Sequence, residues 1–211
     1  MTVTLMQNSS LEVCAHAIRT CWQSYDKSDC GGPKDLELID RVGNKFKHAS
    51  TLEHLTYTFF IEGISRALLQ ELARHRMASP SVKSTRYTLK ELKDEVPFTT
   101  DDKQRAEKYL VMTSSDLVNE MSIKALENLR EVLQTKIGND VAKYCLPESY
   151  KTSLTWTINA RSLQNFIALR SSKSALWEIR DLANAIFEAL PEDHKYLFES
   201  CVYNAQDDLE H

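Results

Sequence analysis

The run from Arg74 to Tyr87 carries the densest chemistry in the chain. Between Arg74 and Lys90 lie five cations (Arg74, Arg76, Lys83, Arg86 and Lys90), one imidazole (His75), several hydroxyls and no carboxylate, although the formal net charge of the chain is -4. An uncompensated basic, hydroxyl-rich stretch in an acidic protein suits an anion. Guanidinium forks pair two N–H groups with phosphate or carboxylate, and a Ser/Pro-rich loop adds backbone donors. Charge alone does not separate such a loop from a solvated face, which is what most basic runs are. Position argues for the ligand. Residues 64–73 read as helix, and continuing that helix places Ile64, Leu68, Leu72 and His75 on one face. His75 is thereby carried toward an apolar surface with an arginine on either side. A lone inward histidine is ordinarily a satisfied core residue; the flanking guanidiniums make a ligand contact credible.

A second polar set occupies residues 159–170. Leu154, Trp156 and Ile158 alternate with Thr155, Thr157 and Asn159, which predicts a strand over Thr152–Ile158. Its polar side ends in Asn159, and Arg161 follows. Ser162 is placed to cap a helix from Leu163 to Arg170. Leu163, Phe166, Ile167 and Arg170 share a face of that helix, with Asn165 roughly opposite and close to Arg161. An arginine ending an apolar stripe is too costly to bury unpaired. A structural carboxylate or a ligand anion would satisfy it equally.

The remaining elements position these two runs. Thr2–Met6 reads as a short strand, and Ser9 with Glu12 has capping-box spacing before a helix reaching Trp22. Pro33 suits the first turn of a helix near 34–46. His48 to His54 is a polar turn entering a strand, Leu55–Ile61, and Gly63 is expected to turn that strand into the helix that delivers Arg74. Two histidines and Glu53 in that turn resemble metal ligands, but no second cluster with ligand spacing accompanies them, so no metal is expected. Residues 90–102, with Pro97, read as loop. Residues 103–135 read as two helices broken near Ser114 and Ser115, with solvated charges. A short helix at 140–145 stops at Pro147. The last long helix, 174–190, is amphipathic, and Trp177 lies off its stripe as a candidate subunit contact. The tail after Asn204 reads as frayed. The sum is an α+β fold: a mainly antiparallel sheet flanked by helices, in a single domain over residues 1–211.

Composition bounds the function. A chain of 211 residues, 42% hydrophobic and 27% charged, can bury one substantial core. Cys14, Cys21, Cys30, Cys145 and Cys201 are odd in number and lack CxxC spacing, which predicts reduced thiols in the cytoplasm. No signal peptide is expected at the N-terminus, and no stretch is apolar enough to span a membrane. Net acidity counts against a dedicated nucleic-acid binder.

Arg74, His75 and Arg76, then seven residues, then Ser84 and Arg86, resemble the signature of the flavin-dependent thymidylate synthases. The segment with His48, Ser50, Glu53 and His54, and the run from Asn159 to Arg170, are similar to two further blocks of that family. The similarity extends over roughly residues 17–186. It implies an enzyme that binds FAD and converts dUMP to dTMP, with methylenetetrahydrofolate as carbon donor and NADPH reducing the flavin. It also implies a homotetramer whose sites are shared between subunits. By the same resemblance Ser50, Glu53, Arg74, His75, Arg76, Asn159, Arg161 and Asn165 contact the cofactor. Glu71, Arg74, Ser84, Thr85, Arg86, Lys143 and Arg170 contact dUMP. Arg170 is then the catalytic residue, stabilising negative charge as the uracil N3 ionises, which is electrostatic catalysis by a fixed cation.

Several positions depart from the family's usual residues. Lys143 stands for arginine, Asp140 for glutamate, Glu71 for glutamine, Ser81 for asparagine and Val82 for glutamate; Ser174 and Leu176 replace histidine and glutamine. Lys143 keeps its charge without the bidentate fork. A nucleophilic cysteine, the route of the flavin-independent thymidylate synthases, finds no activating base in sequence, even at Cys145 near Lys143. Ser84 likewise lacks a base partner and is assigned to phosphate. Two other functions compete. One is an RNA- or nucleotide-binding module using the basic loop and Tyr87, which net acidity and the lack of interleaved aromatics disfavour. The other is a flavoprotein of this fold whose nucleotide substrate has changed, allowed by Glu71 and Lys143.

Overall fold

The computed structural model describes residues 1–203. Its two alternating runs become the central strands of a four-stranded antiparallel sheet. The strands are β1 (Thr2–Asn8), β2 (Thr56–Ser65), β3 (Ala78–Val82) and β4 (Lys151–Asn159), in the order β1-β2-β4-β3. The helices are α1 (Leu11–Thr20), α2 (Pro33–Ile39), α3 (Arg66–Leu72), α4 (Thr85–Thr88), α5 (Lys90–Lys93), α6 (Lys103–Ala106), α7 (Asp116–Leu133), α8 (Asn139–Ala142), α9 (Ala160–Arg170), α10 (Trp177–Glu188) and α11 (Glu192–Lys195).

The chain divides into two compact units. The first holds residues 1–61, 72–80 and 155–203. Its core joins Tyr57, Phe59 and Ile61 of β2 and Trp156 of β4 to Leu163, Phe166 and Ile167 of α9 and Ile179, Leu182 and Ile186 of α10, all buried. The second holds residues 62–71 and 81–154. It is built on one face of α7, where Ile123, Leu126, Leu129 and Leu133 pack with Leu92, Phe98, Tyr109, Leu110 and Tyr150. Ser115 caps α7 by accepting from the Val118 N–H, so the predicted break before a long helix is present. The tail after Asn204 lies outside the described residues.

Several local expectations are corrected. Ser10, not Ser9, caps α1, its hydroxyl accepting from the Glu12 N–H at 3.2 Å. Ser9 instead meets the Thr56 hydroxyl at 2.9 Å and accepts from the Thr56 N–H, fastening the start of β2. Gly63 does not end that strand. With φ at 71° it lets β2 continue to Ser65 while shifting the alternation, so that Ile64 and Ser65 are both buried. Ile64 therefore belongs to a strand, and α3 stops at Leu72. Residues 78–82 pair as an edge strand, where Pro80 costs nothing because its missing N–H faces no partner strand. The helix expected near 34–46 is α-helical only to Ile39; Asp40–Lys45 then widens to i→i+5 bonding, with the Phe46 N–H donating to the Arg41 carbonyl at 2.9 Å.

A buried ion pair ties α1 to α2. Arg19 donates from Nε and Nη2 to Asp35 Oδ1, at 2.9 and 2.5 Å, while the Ser28 hydroxyl (2.6 Å) and the Gly31 N–H (3.0 Å) donate to Oδ2. Burial raises the Asp35 pKa, but Ser28, Gly31 and Arg19 outweigh it and bring the carboxyl from 3.8 down to about 2. Because the folded value is the lower one, the ionised carboxylate stabilises the fold fully above about pH 4, and that contribution fades as pH falls toward 2. A shift of this size corresponds to about 2 kcal/mol. Urea unfolding of Asp35→Asn should accordingly give a flatter loss of stability across that acid window than the unsubstituted protein; identical slopes would remove Asp35 as a source of acid lability.

Candidate active site

Arg74, His75 and Arg76 leave α3 on a turn closed by the His75 N–H donating to the Leu72 carbonyl at 3.0 Å. The half-buried imidazole meets Phe166 of α9 edge-on, with centroids 4.9 Å apart and planes at 81°. Phe166 in turn meets Trp156 of β4 at 5.2 Å and 67°. Aromatic edges of this kind favour a fixed geometry, so a relay from the sheet through α9 sets the ring's orientation. Arg170, the last residue of α9, donates from Nε to His75 Nε2 at 2.9 Å. For Nε2 to accept, the imidazole carries its proton on Nδ1. The basic turn and the late helix, 95 residues apart in the chain, therefore meet directly.

Asn159 ends β4 and caps α9, its Oδ1 accepting from the Ser162 N–H at 2.9 Å. Ser162 is thus the recipient of the cap and not its source, because β4 runs into α9 without an intervening loop. The cap uses only the oxygen of Asn159; its amide N–H groups remain for another partner. Asn159→Ala should cost about 1 kcal/mol in thermal unfolding of the protein without ligand. Asn159→Asp, which retains the accepting oxygen, should recover most of that. Equal losses in both would deny the cap. Arg161, on the first turn of α9, donates to Glu53 Oε1 at 2.7 Å. Glu53 sits on the tight turn Ala49–His54. Both side chains are about half exposed, so the pair contributes at most about 1 kcal/mol and mainly sets direction.

Together Glu53, Arg74, His75, Arg76, Met77, Asn159, Arg161, Ser162, Asn165, Leu169 and Arg170 line one cavity of about 600 Å³. Four guanidiniums face a single carboxylate there, so the cavity is electropositive. Met77 and Leu169 add apolar wall. Sequence reasoning passed over both, although Leu169 is an apolar residue outside the buried stripe of α9 and beside Arg170.

The other predicted site residues are placed differently. Ser50 is exposed on the Ala49–His54 turn and does not line the cavity. Glu71, Ser84, Thr85, Arg86 and Lys143 belong to the second unit. There Ser84 precedes α4, its carbonyl accepting from the N–H groups of Tyr87 and Thr88. Helix α4 packs on α8, and Asn139 donates to the Arg86 carbonyl at 2.9 Å. Lys143 follows α8 directly, so Ser84–Arg86 and Lys143 share one neighbourhood. Cys145 is exposed on the Lys143–Cys145 turn.

An antiparallel sheet that aims an arginine-clustered turn and the end of a helix at one cavity defines a protein built to hold a large anionic ligand. Residues 3–194 match the family described as "Thymidylate synthase complementing protein". The chain belongs to this family, that of the flavin-dependent thymidylate synthases. It is 74% identical over 198 residues to the flavin-dependent thymidylate synthase of Wolinella succinogenes, covering 94% of this chain and 97% of that protein. Identity to the Campylobacter jejuni protein of the same name is 70% over 203 residues, covering 96% and 98%. The crystal structure of the Helicobacter pylori flavin-dependent thymidylate synthase complexed with FAD and dUMP aligns with a TM-score of 0.92 at 56% identity, over 96% of this chain and all of that one.

Proposed function

We infer that this chain is a flavin-dependent thymidylate synthase that binds FAD and forms dTMP from dUMP. The observation that carries the reading is the near-complete structural match to a relative solved with FAD and dUMP. The cavity chemistry fits the cofactor. FAD needs cations for its diphosphate, amide donors for ring carbonyls and a flat apolar surface. Arg74, Arg76 and Arg161 offer the first, Asn159 and Asn165 the second, and Met77 with Leu169 the third. Its volume lies in the range of ligand-sized pockets.

Bound FAD supplies the hydride of the reaction. The chain's own residues bind, orient and polarise. His75, locked edge-on against Phe166, holds the Arg170 guanidinium in one direction. A cation fixed in advance stabilises charge as it develops on the uracil and loses no energy to reorganisation. Glu71, Ser84, Thr85, Arg86 and Lys143 bind the nucleotide. Methylenetetrahydrofolate is the carbon donor and NADPH the reductant. The enzyme works in the cytoplasm as a homotetramer with shared sites, each chain acting as a single catalytic domain; Trp177, 41% exposed at the start of α10, suits a subunit contact.

The test is spectroscopic. The purified protein should be yellow, bleach with NADPH without oxygen, and regain its flavin absorbance only when dUMP and methylenetetrahydrofolate are both added, one dTMP appearing per flavin. Reoxidation that ignores dUMP would favour the altered-substrate flavoprotein, and a colourless protein that takes up no FAD would end the reading.

A further inference from the structure

Arg170 is the last residue of α9, and the last turn of a helix is where backbone order is ordinarily lost, its carbonyls having no partner further along. The hydrogen bond to His75 fixes only the guanidinium. The backbone beneath it needs its own restraint, and residues 191–203 of the same unit supply one.

That segment is anchored by burial. Leu197 and Phe198 are fully buried, and Phe198 meets Tyr57 of β2 edge-on at 5.7 Å. The buried His194 of α11 shares a hydrogen bond between its Nδ1 and the Tyr57 hydroxyl at 2.8 Å. From these anchors the segment reaches α9 twice. In mid-helix, Gln164 donates from Nε2 to the Leu197 carbonyl at 2.7 Å and to Asn44 Oδ1 at 3.1 Å. At the helix end, the Tyr203 N–H donates to the Ser171 hydroxyl at 2.9 Å. Ser171 is buried, and its own N–H closes the last turn of α9 on the Ile167 carbonyl at 2.9 Å. Lys173 lies over the Tyr203 ring at 5.5 Å, which secures the same crossing from its other side.

We propose that Ser171 is a positioning residue for Arg170: by accepting the Tyr203 N–H it pins the end of α9 to the 191–203 segment and so fixes the backbone from which the guanidinium projects. Its part in turnover rests on the role given to Arg170 in the proposed function; the restraint itself does not. Arg170 is thereby held at both ends, the side chain by His75 and the main chain by Ser171. A cation aimed in advance needs both, since a small displacement at its root is magnified along a long side chain.

The bond can be removed from either side. Ser171→Ala deletes the acceptor and Tyr203→Pro deletes the donor; Val202, at φ -75° and ψ 127°, already has the extended backbone that a following proline favours. Deuterium exchange of the FAD-loaded protein should show the last turn of α9 exchanging about fivefold faster in each variant, with β2 and β4 unchanged. In dTMP formation kcat should fall about tenfold in each. In an Arg170→Ala background, Ser171→Ala should change kcat by no more than about twofold, because its effect passes through Arg170. Exchange at the parent rate in both variants would overturn the restraint. Faster exchange with parental turnover, or an undiminished loss in the Arg170→Ala background, would overturn the positioning role. Should Ser171→Ala fail to fold, Tyr203→Pro carries the same test. A parent protein that forms no dTMP would overturn the proposed function alone, because exchange is read without turnover.

Discussion

Arg170→Ala should lower kcat for dTMP formation by about 10²–10³-fold, the loss typical when one preorganised donor to developing charge is removed. The reason lies in how the guanidinium is held. Its Nε is fixed on His75 at 2.9 Å, and His75 is fixed in turn by Phe166. The charge therefore points into the cavity before any nucleotide arrives. Arg170→Lys keeps a cation but loses the planar fork, so its activity should lie between the two. Ser84→Ala should behave differently. Ser84 precedes α4 and its side chain makes no cap hydrogen bond there, so its loss should raise KM for dUMP while turnover stays measurable. A serine variant without turnover beside an active Arg170→Ala would exchange the two roles.

Arg19→Ala should be strongly destabilising although it lies outside the active-site cavity. It strands the Asp35 carboxylate, which is fully buried, without its cation, at a cost of about 3–5 kcal/mol. For a chain of this size that lowers Tm by on the order of 10 °C. Adding Asp35→Asn to Arg19→Ala should recover part of the loss, because the stranded charge disappears while Ser28 and Gly31 keep an acceptor. A single variant that melts within a degree or two of the parent would show that the pair is not needed.

What sequence could reveal followed from how local each signal is. The alternations at 55–61 and 152–158 specified the two central strands, because one face of each packs into a core. Both polar runs of the cavity were visible as residue types. The contact between them was not: bringing His75 to Arg170 depends on strand order, which no local pattern encodes. Caps were misassigned by small displacements. Ser9 and Ser10 are chemically equivalent candidates, and only the pairing of Ser9 with Thr56 decides between them. Ser162 yielded to Asn159 because β4 continues directly into α9. Gly63 looked like a turn, since a residue free to take positive φ serves a bulge equally well.

The most direct measurement is a crystal structure of this protein with FAD and dUMP bound. Flavin density should lie in the cavity between the Arg74–Arg76 turn and α9, with a uracil oxygen or nitrogen within hydrogen-bonding distance of the Arg170 guanidinium. A flavin seated elsewhere, with the uracil remote from Arg170 of every subunit, would contradict the account.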